Sequence, residues 1–196
     1  MKILARLFLL ACVLFSSLFA GPFGLEKGQT AKSFGEKIKQ TEKSVVSFSL
    51  SEPPKPHPFF TDYRIQISSK SGLAEVKAFS DAIASNSFGN QLRSAYEVLE
   101  SALTKKYGNP KKVDFLQSGS IWNEPNEWMM ALAKDERYLG CYWNATPDNQ
   151  LPDGLSYIEL SAYATSREKG LIKVMYRFTN FGDIKEEEEK NAASSL

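Results

Sequence analysis

Two side chains have the chemistry of a nucleophile and its base: Cys141 in "RYLGCYWN" and His57 in "SEPPKPHPFF". A thiol acts at neutral pH when a base sits beside it, and this chain has one histidine to offer. Neither residue carries the flanking signature of a cysteine enzyme. Cys141 stands between Gly140 and Tyr142 in an alternating stretch, the ordinary setting of a small buried hydrophobe. His57 stands in a proline loop that reads as solvated, so the pair is read as a coincidence of composition.

Metal chemistry has no better footing. One imidazole and one distant thiol fall short of the four ligands zinc prefers, and no acidic loop has calcium spacing. "DNQLPDG" from Asp148 has two acids and a glycine but lacks the twelfth-position glutamate of a calcium loop, and reads as a turn. The glycines of "GPFG" and "KSFGEK" are isolated and form no phosphate cradle. No catalytic residue, metal or cofactor is expected.

Aromatic residues are the one suggestive excess. Trp122, Trp128, Tyr142 and Trp143 fall within 22 residues, and Phe59, Phe60 and Tyr63 follow the prolines. Burial in a core is their first explanation. Strand alternation, however, puts Tyr142 and Trp143 on opposite faces, so one of them points away from any covering helix. Exposed rings beside a rigid loop act as partner anchors. His57, Phe59, Phe60, Trp122 and Trp143 are therefore the candidate binding residues.

The elements that must carry these residues are legible in part. Thr30 is placed to cap a short helix from Ala31, with Phe34 and Ile38 on its inner side and Gly35 weakening it. Residues 44–50 read as a strand, 53–60 as an extended loop with four prolines in six residues, and 63–69 with 73–79 as a hairpin turned at Ser71-Gly72. Leu92, Tyr96, Leu99, Leu103 and Tyr107 form one apolar stripe on a long helix, capped by Asn90 and stopped by Gly108 and Pro110. Segment 126–136 fits either a short helix or a strand, and the β segments around it favour a strand. Strands follow at 111–117, 137–144, 155–164 and 170–180. The fold class expected is α+β: an antiparallel sheet with the short N-terminal helix and the long central helix on one face. Helix followed by strands occurs twice, at 31–79 and 90–179, which suggests two structural half-repeats.

Residues 1–20 form a leader. Lys2 and Arg6 precede an apolar run of 14 residues, too short for the ~20 of a bilayer span and suited to a secretory signal peptide. Cleavage is expected between Ala20 and Gly21. The alternative is the lipobox-like "LLAC", with Cys12 as the lipidated residue; it would bisect the apolar run instead of closing it. Removing the leader takes the formal charge from +1 to −1. No basic block stands out, so nucleic acid is not an expected partner, and no transmembrane segment follows the leader. Cys141 is then the one remaining cysteine, so packing and not disulfides must hold the fold. Residues 21–182 read as one domain and 183–196, with "EEEE", as an acidic tail, either frayed helix or disordered.

"GLEKGQT" followed by a short helix resembles the opening motif of outer-membrane assembly lipoproteins of the OmlA/SmpA type, and the β-lactamase inhibitor protein doubles a comparable helix-plus-sheet unit. "LTKKYGNP" resembles a helix ending common in exported bacterial proteins. Gln29 stands where that motif has a methionine-like residue, and Ile38 where it has a valine. The resemblance implies an envelope location and a helix-on-sheet fold; it carries over no binding residue. The expected function is non-enzymatic binding of another protein in the bacterial envelope, periplasmic or secreted. One alternative is an inhibitor or immunity-type protein that inserts the 53–60 loop into an enzyme. The other is a hydrolase with an unrecognised site.

Overall fold

The computed structural model describes residues 21–41 and 44–194. The chain is α+β, with nine antiparallel strands in one sheet and four α-helices among these residues. The first half runs α1 (Ala31–Phe34), β1 (Ile38–Gln40), β2 (Ser47–Leu50), β3 (Phe60–Ser68) and β4 (Gly72–Ser80). After the two-residue β5 (Ile83–Ala84) come α2 (Asn90–Tyr107), β6 (Lys111–Leu116), α3 (Trp128–Ala133), β7 (Arg137–Asn144), β8 (Leu155–Ala164), β9 (Lys169–Phe178) and α4 (Phe181–Ser194).

The sheet order is β1-β2-β3-β4-β9-β8-β7-β6, with β5 added beside β9. Each half is thus a helix followed by a four-strand meander, and the last strands of the two meanders pair antiparallel at the centre, Val76 opposite Tyr176. The two halves of the chain therefore have matching connectivity.

One core lies on one side of this sheet. Leu92, Tyr96 and Leu99 of α2 and Trp128, Met129 and Leu132 of α3 close over Ile158, Leu160, Ile172 and Val174. The α2 stripe holds as read, with Leu103 half-buried at its edge. Its start is capped differently: Gly89, at φ 76°, is the N-cap, and Asn86 Oδ1 accepts from the Asn90 amide at 3.1 Å. Gly89 has a second reason to be glycine, because a Cβ there would lie 2.2 Å from the Trp128 ring.

Three local expectations are corrected. Gly35, at φ 56°, ends α1 after one turn, so Ile38 enters β1 instead of lying on a helix. Thr30 holds the N-cap position but its side chain makes no cap bond. Segment 126–136 is not a strand: a 3-10 turn with reciprocal Glu124–Glu127 capping leads into α3, whose Trp128, Met129, Ala131 and Leu132 are buried.

Of the two readings of the acidic tail, frayed helix or disordered, the structure has a helix. This helix, α4, lies on the side of the sheet away from the main core. Ile184 is fully buried there, against Val46 and Ala74. Its seat comes from a β-bulge between Gln66 and Ile67, which turns both Ala74 and Glu75 outward between core-facing Leu73 and Val76. A tail with a single apolar side chain at that position shows no amphipathic period, so composition hid the contact.

The "GLEKGQT" stretch has a structural role here. The Gly28 amide donates to Leu73 O at 3.0 Å and the Leu73 amide to Gln29 O at 2.8 Å, so it ties to the start of β4. Among the described residues, no helix is long and apolar enough to cross a membrane. The leader, Cys12 and Ala20 lie outside the described residues; Gly21 is buried and opens a short 3-10 turn, Pro22–Gly24.

Candidate functional site

Alternation along β7 and β8 builds an outer face opposite the core. Cys141 and Trp143 face α2, so Tyr138, Gly140 and Tyr142 face outward. On β8, Ile158, Leu160 and Ala162 are core, which turns Tyr157, Glu159, Ser161 and Tyr163 outward. Strand pairing sets these rings side by side. Tyr142 stacks on Tyr157 at 6.1 Å between centroids, and Phe115 of β6 stacks on Tyr138 at the same spacing. Gly140 makes this possible, since a Cβ there would lie 2.5 Å from the Tyr138 hydroxyl.

Ion pairs run through the same face. Glu75 is almost fully buried; its Oε2 accepts from Arg177 Nε at 2.6 Å, and Lys77 Nζ lies 2.5 Å from its Oε1 without hydrogen-bond alignment. Arg177 also lies over the Tyr157 and Phe181 rings. Glu159 accepts from Tyr157 at 3.0 Å, from Ser161 at 2.9 Å, and pairs with Lys173 at 3.0 Å. Burial by itself would raise the Glu159 carboxyl, but Lys173 and the two hydroxyls outweigh it and hold it below its ordinary value. Burial would lower Lys173, yet Tyr163 and Glu159 keep its ammonium favoured. Beyond this network a groove of about 1220 Å³ crosses β3, β4 and β9, lined by Arg64, Gln66, Lys77, Phe79 and Lys173 among others. Among the described residues no helix covers the tyrosine rows: α2 and α3 lie on the core side, and α4 contacts β3 and β4.

The candidate residues read from sequence fall elsewhere. Phe60 is buried in the core, edge-on to Phe23 at 5.9 Å, and Phe59 is half-buried against it at 5.4 Å. Trp143 is buried, and its Nε1 donates to Gly108 O at 2.6 Å, tying β7 to the end of α2. Tyr142 is the member of that pair that points outward. Trp122 is half-buried in the loop after β6. His57 is exposed, and the loop around it is pinned by Tyr63, whose hydroxyl accepts from the His57 amide at 3.1 Å. The five residues do not form one surface.

Cys141 and His57 are not brought together. Cys141 sits on β7 beneath Tyr96, while His57 precedes β3, four strand spacings or about 19 Å away across the sheet. Burial first, and nearby carboxylates after it, push the Cys141 thiol up to about 11. A protonated thiol sealed under a helix is a poor nucleophile.

The outward tyrosines had a signal. Tyr138 and Tyr142 flank Gly140, and Tyr157, Glu159, Ser161 and Tyr163 recur at every second position. Polar and aromatic residues in phase on two adjacent strands mark a face that no helix covers. Comparison of the chain with protein-family models, with curated proteins and with solved structures found no match.

Proposed function

We propose that this chain is an exported, non-enzymatic protein that works by binding another folded protein through the outer face of its sheet. One observation carries the reading: a face that no helix covers among the described residues is ordered as a network of stacked tyrosines and ion pairs. Such side chains on an open face have already lost much of their rotamer freedom, which lowers the cost of docking. Tyrosine and arginine are the residues that anchor protein interfaces. The charge balance favours a protein over a polyanion, because Arg64, Lys77, Lys173 and Arg177 each have a carboxylate partner, and Lys111, which has no ion-pair partner among the described residues, lies over the Tyr142 ring. A phosphate backbone needs cations that are free to neutralise it.

Export rests on the leader 1–20, and a bacterial envelope location on the opening motif. Inhibition by an inserted 53–60 loop has less support, because Phe60 is core and Phe59 packs on it. A photo-crosslinking amino acid at Tyr142 or Tyr157, in envelope of the source cell, tests the surface. The expected result is one saturable protein adduct from both positions and none from Val98, which is 70% exposed on α2. The same adduct from Val98, with none from the tyrosines, would overturn the proposal.

A further inference from the structure

We infer that the cavity between the Pro22–Gly24 turn, the proline loop and α2 is a binding site for a small single-chain anionic amphiphile, a carboxylic acid with an apolar tail. The inference is independent of the outer face, from which this cavity is separated by the sheet. The cavity measures about 370 Å³, within the range of about 300–1,000 Å³ in which small-molecule sites fall.

Its wall is apolar and its rim is basic. Phe23 and Leu103, both half-buried, are its accessible apolar walls, and Phe60, Leu99, Leu160 and Val174 lie behind them, at most 7% exposed. These residues belong to the core cluster or pack against it, so the hollow is held open by fixed elements. Lys55, His57 and Lys106 are exposed and line the same cavity, and none of its lining residues is acidic. One acid, Asp153, stands beside the lining residues Gly21 and Tyr107, against the three basic side chains of the rim.

Two polar details fit a carboxylate. The Phe59 amide donates to His57 Nδ1 at 3.2 Å, which leaves the neutral ring's hydrogen on Nε2 as a donor. The Tyr176 hydroxyl, on the inner wall, has no hydrogen-bond partner among the described residues. That hydroxyl keeps some accessible surface at the cavity, so it is available to a ligand or to water. Lys106 lies over the Tyr107 ring, 4.9 Å from its centroid, which sets its ammonium at the rim. An acyl tail between Phe23 and Leu103 with its carboxylate among Lys55, His57 and Lys106 uses these features.

Calorimetric titration of residues 21–196 with decanoate, decanol and decyltrimethylammonium, all below micelle formation, tests the site. Decanoate is expected to bind one to one, at least tenfold tighter than decanol, gaining roughly fourfold per added buried methylene from octanoate upward. Lys55→Glu with Lys106→Glu should weaken decanoate at least tenfold and leave decanol unchanged. Ala102→Trp, at an exposed helix position on the rim, should abolish both while the melting temperature holds. The inference is overturned by no saturation at millimolar decanoate, by equal or tighter binding of the quaternary ammonium, or by undiminished binding in Ala102→Trp. Retention on phosphatidylglycerol vesicles that decanoate displaces would overturn the assignment to a free acid.

Discussion

Glu75 and Arg177 face each other across the β4–β9 seam, where the two meanders meet, with Nε and Oε2 2.6 Å apart. The carboxylate is 1% exposed and the guanidinium 33%, so water reaches one partner only. Removing the acid would leave Arg177 and Lys77 without their counter-charge beside a buried site. Glu75→Ala is expected to cost about 2–3 kcal/mol, toward or below the low end for buried pairs because the cations keep solvent contact. A urea titration reads this directly. Glu75→Met combined with Arg177→Met should recover most of the loss; no recovery would show that the pair's packing, and not its charge, sets the stability.

The docking of α4 should depend on acid. Lys70, then Ser71, hold Asp183 below its ordinary value. Burial alone would raise Glu187, but hydrogen bonds from Ser68 and from the Ser69 and Lys70 amides outweigh it and lower it. Both folded values are depressed, so their contribution is complete above the ordinary carboxylate range of about 4 and is lost as pH falls through the folded values. Protection of the α4 amides, relative to their intrinsic exchange at each pH, is therefore expected to fall from about pH 4 downward, before that of the core strands. Asp183→Asn with Glu187→Gln should flatten that profile. Unchanged protection of α4 at about pH 2 would refute an electrostatic latch.

How much of this was legible follows from where each signal lives. The α2 stripe and the β3–β4 and β8–β9 hairpins repeat over several turns or pairs, and they stand where periodicity put them. Segment 126–136 offered Trp128, Met130 and Leu132 to a strand and Trp128 with Leu132 to a helix. Its decision came from Gly89, some forty residues away in sequence, which opens the space for the Trp128 ring. The Ile184 contact was invisible because it depends on the bulge at Ala74, a register shift that alternation does not announce. The five candidate residues were scattered for a related reason. Aromatics clustered in sequence, such as Phe59 and Phe60, were drawn into the core, while spaced tyrosines were gathered by strand pairing that only the sheet order reveals.

Phe60→Ser should lower stability sharply and by itself say little about binding. Phe60 is 7% exposed and packs edge-on to Phe23, so deletion of its ring is expected to cost about 3–5 kcal/mol. Leu99→Ala, also 7% exposed, should cost about 2–5 kcal/mol. His57→Ser, on the exposed side of the same loop, should change stability by less than about 0.5 kcal/mol. Thermal and urea unfolding of the three variants separates them. Loss of stability in His57→Ser comparable to that in Phe60→Ser would mean that the loop is held from its outer side.

Cys141 supplies a clock for opening of the core. Its side chain is fully buried beneath Tyr96, and its thiol is pushed up from 9.0 to about 11. A maleimide or disulfide reagent reaches it through opening of α2 from the sheet, so labelling at neutral pH should follow the unfolding equilibrium. Denaturant should accelerate it in step with loss of helix signal, and Leu99→Ala should accelerate it without denaturant. The thiol also sets an alkaline limit. Between about pH 9 and 11 the unfolded chain gives up this proton while the folded chain keeps it, so unfolding releases a proton and stability falls as pH rises. Cys141→Ala should remove the part of that slope that begins at about pH 9, leaving the part from about pH 10 upward that comes from tyrosines raised by burial, Tyr96 and Tyr176 among them. Rapid labelling of the native protein at neutral pH, at the rate of a free thiol, would place Cys141 at the surface and overturn the packing of α2 described above.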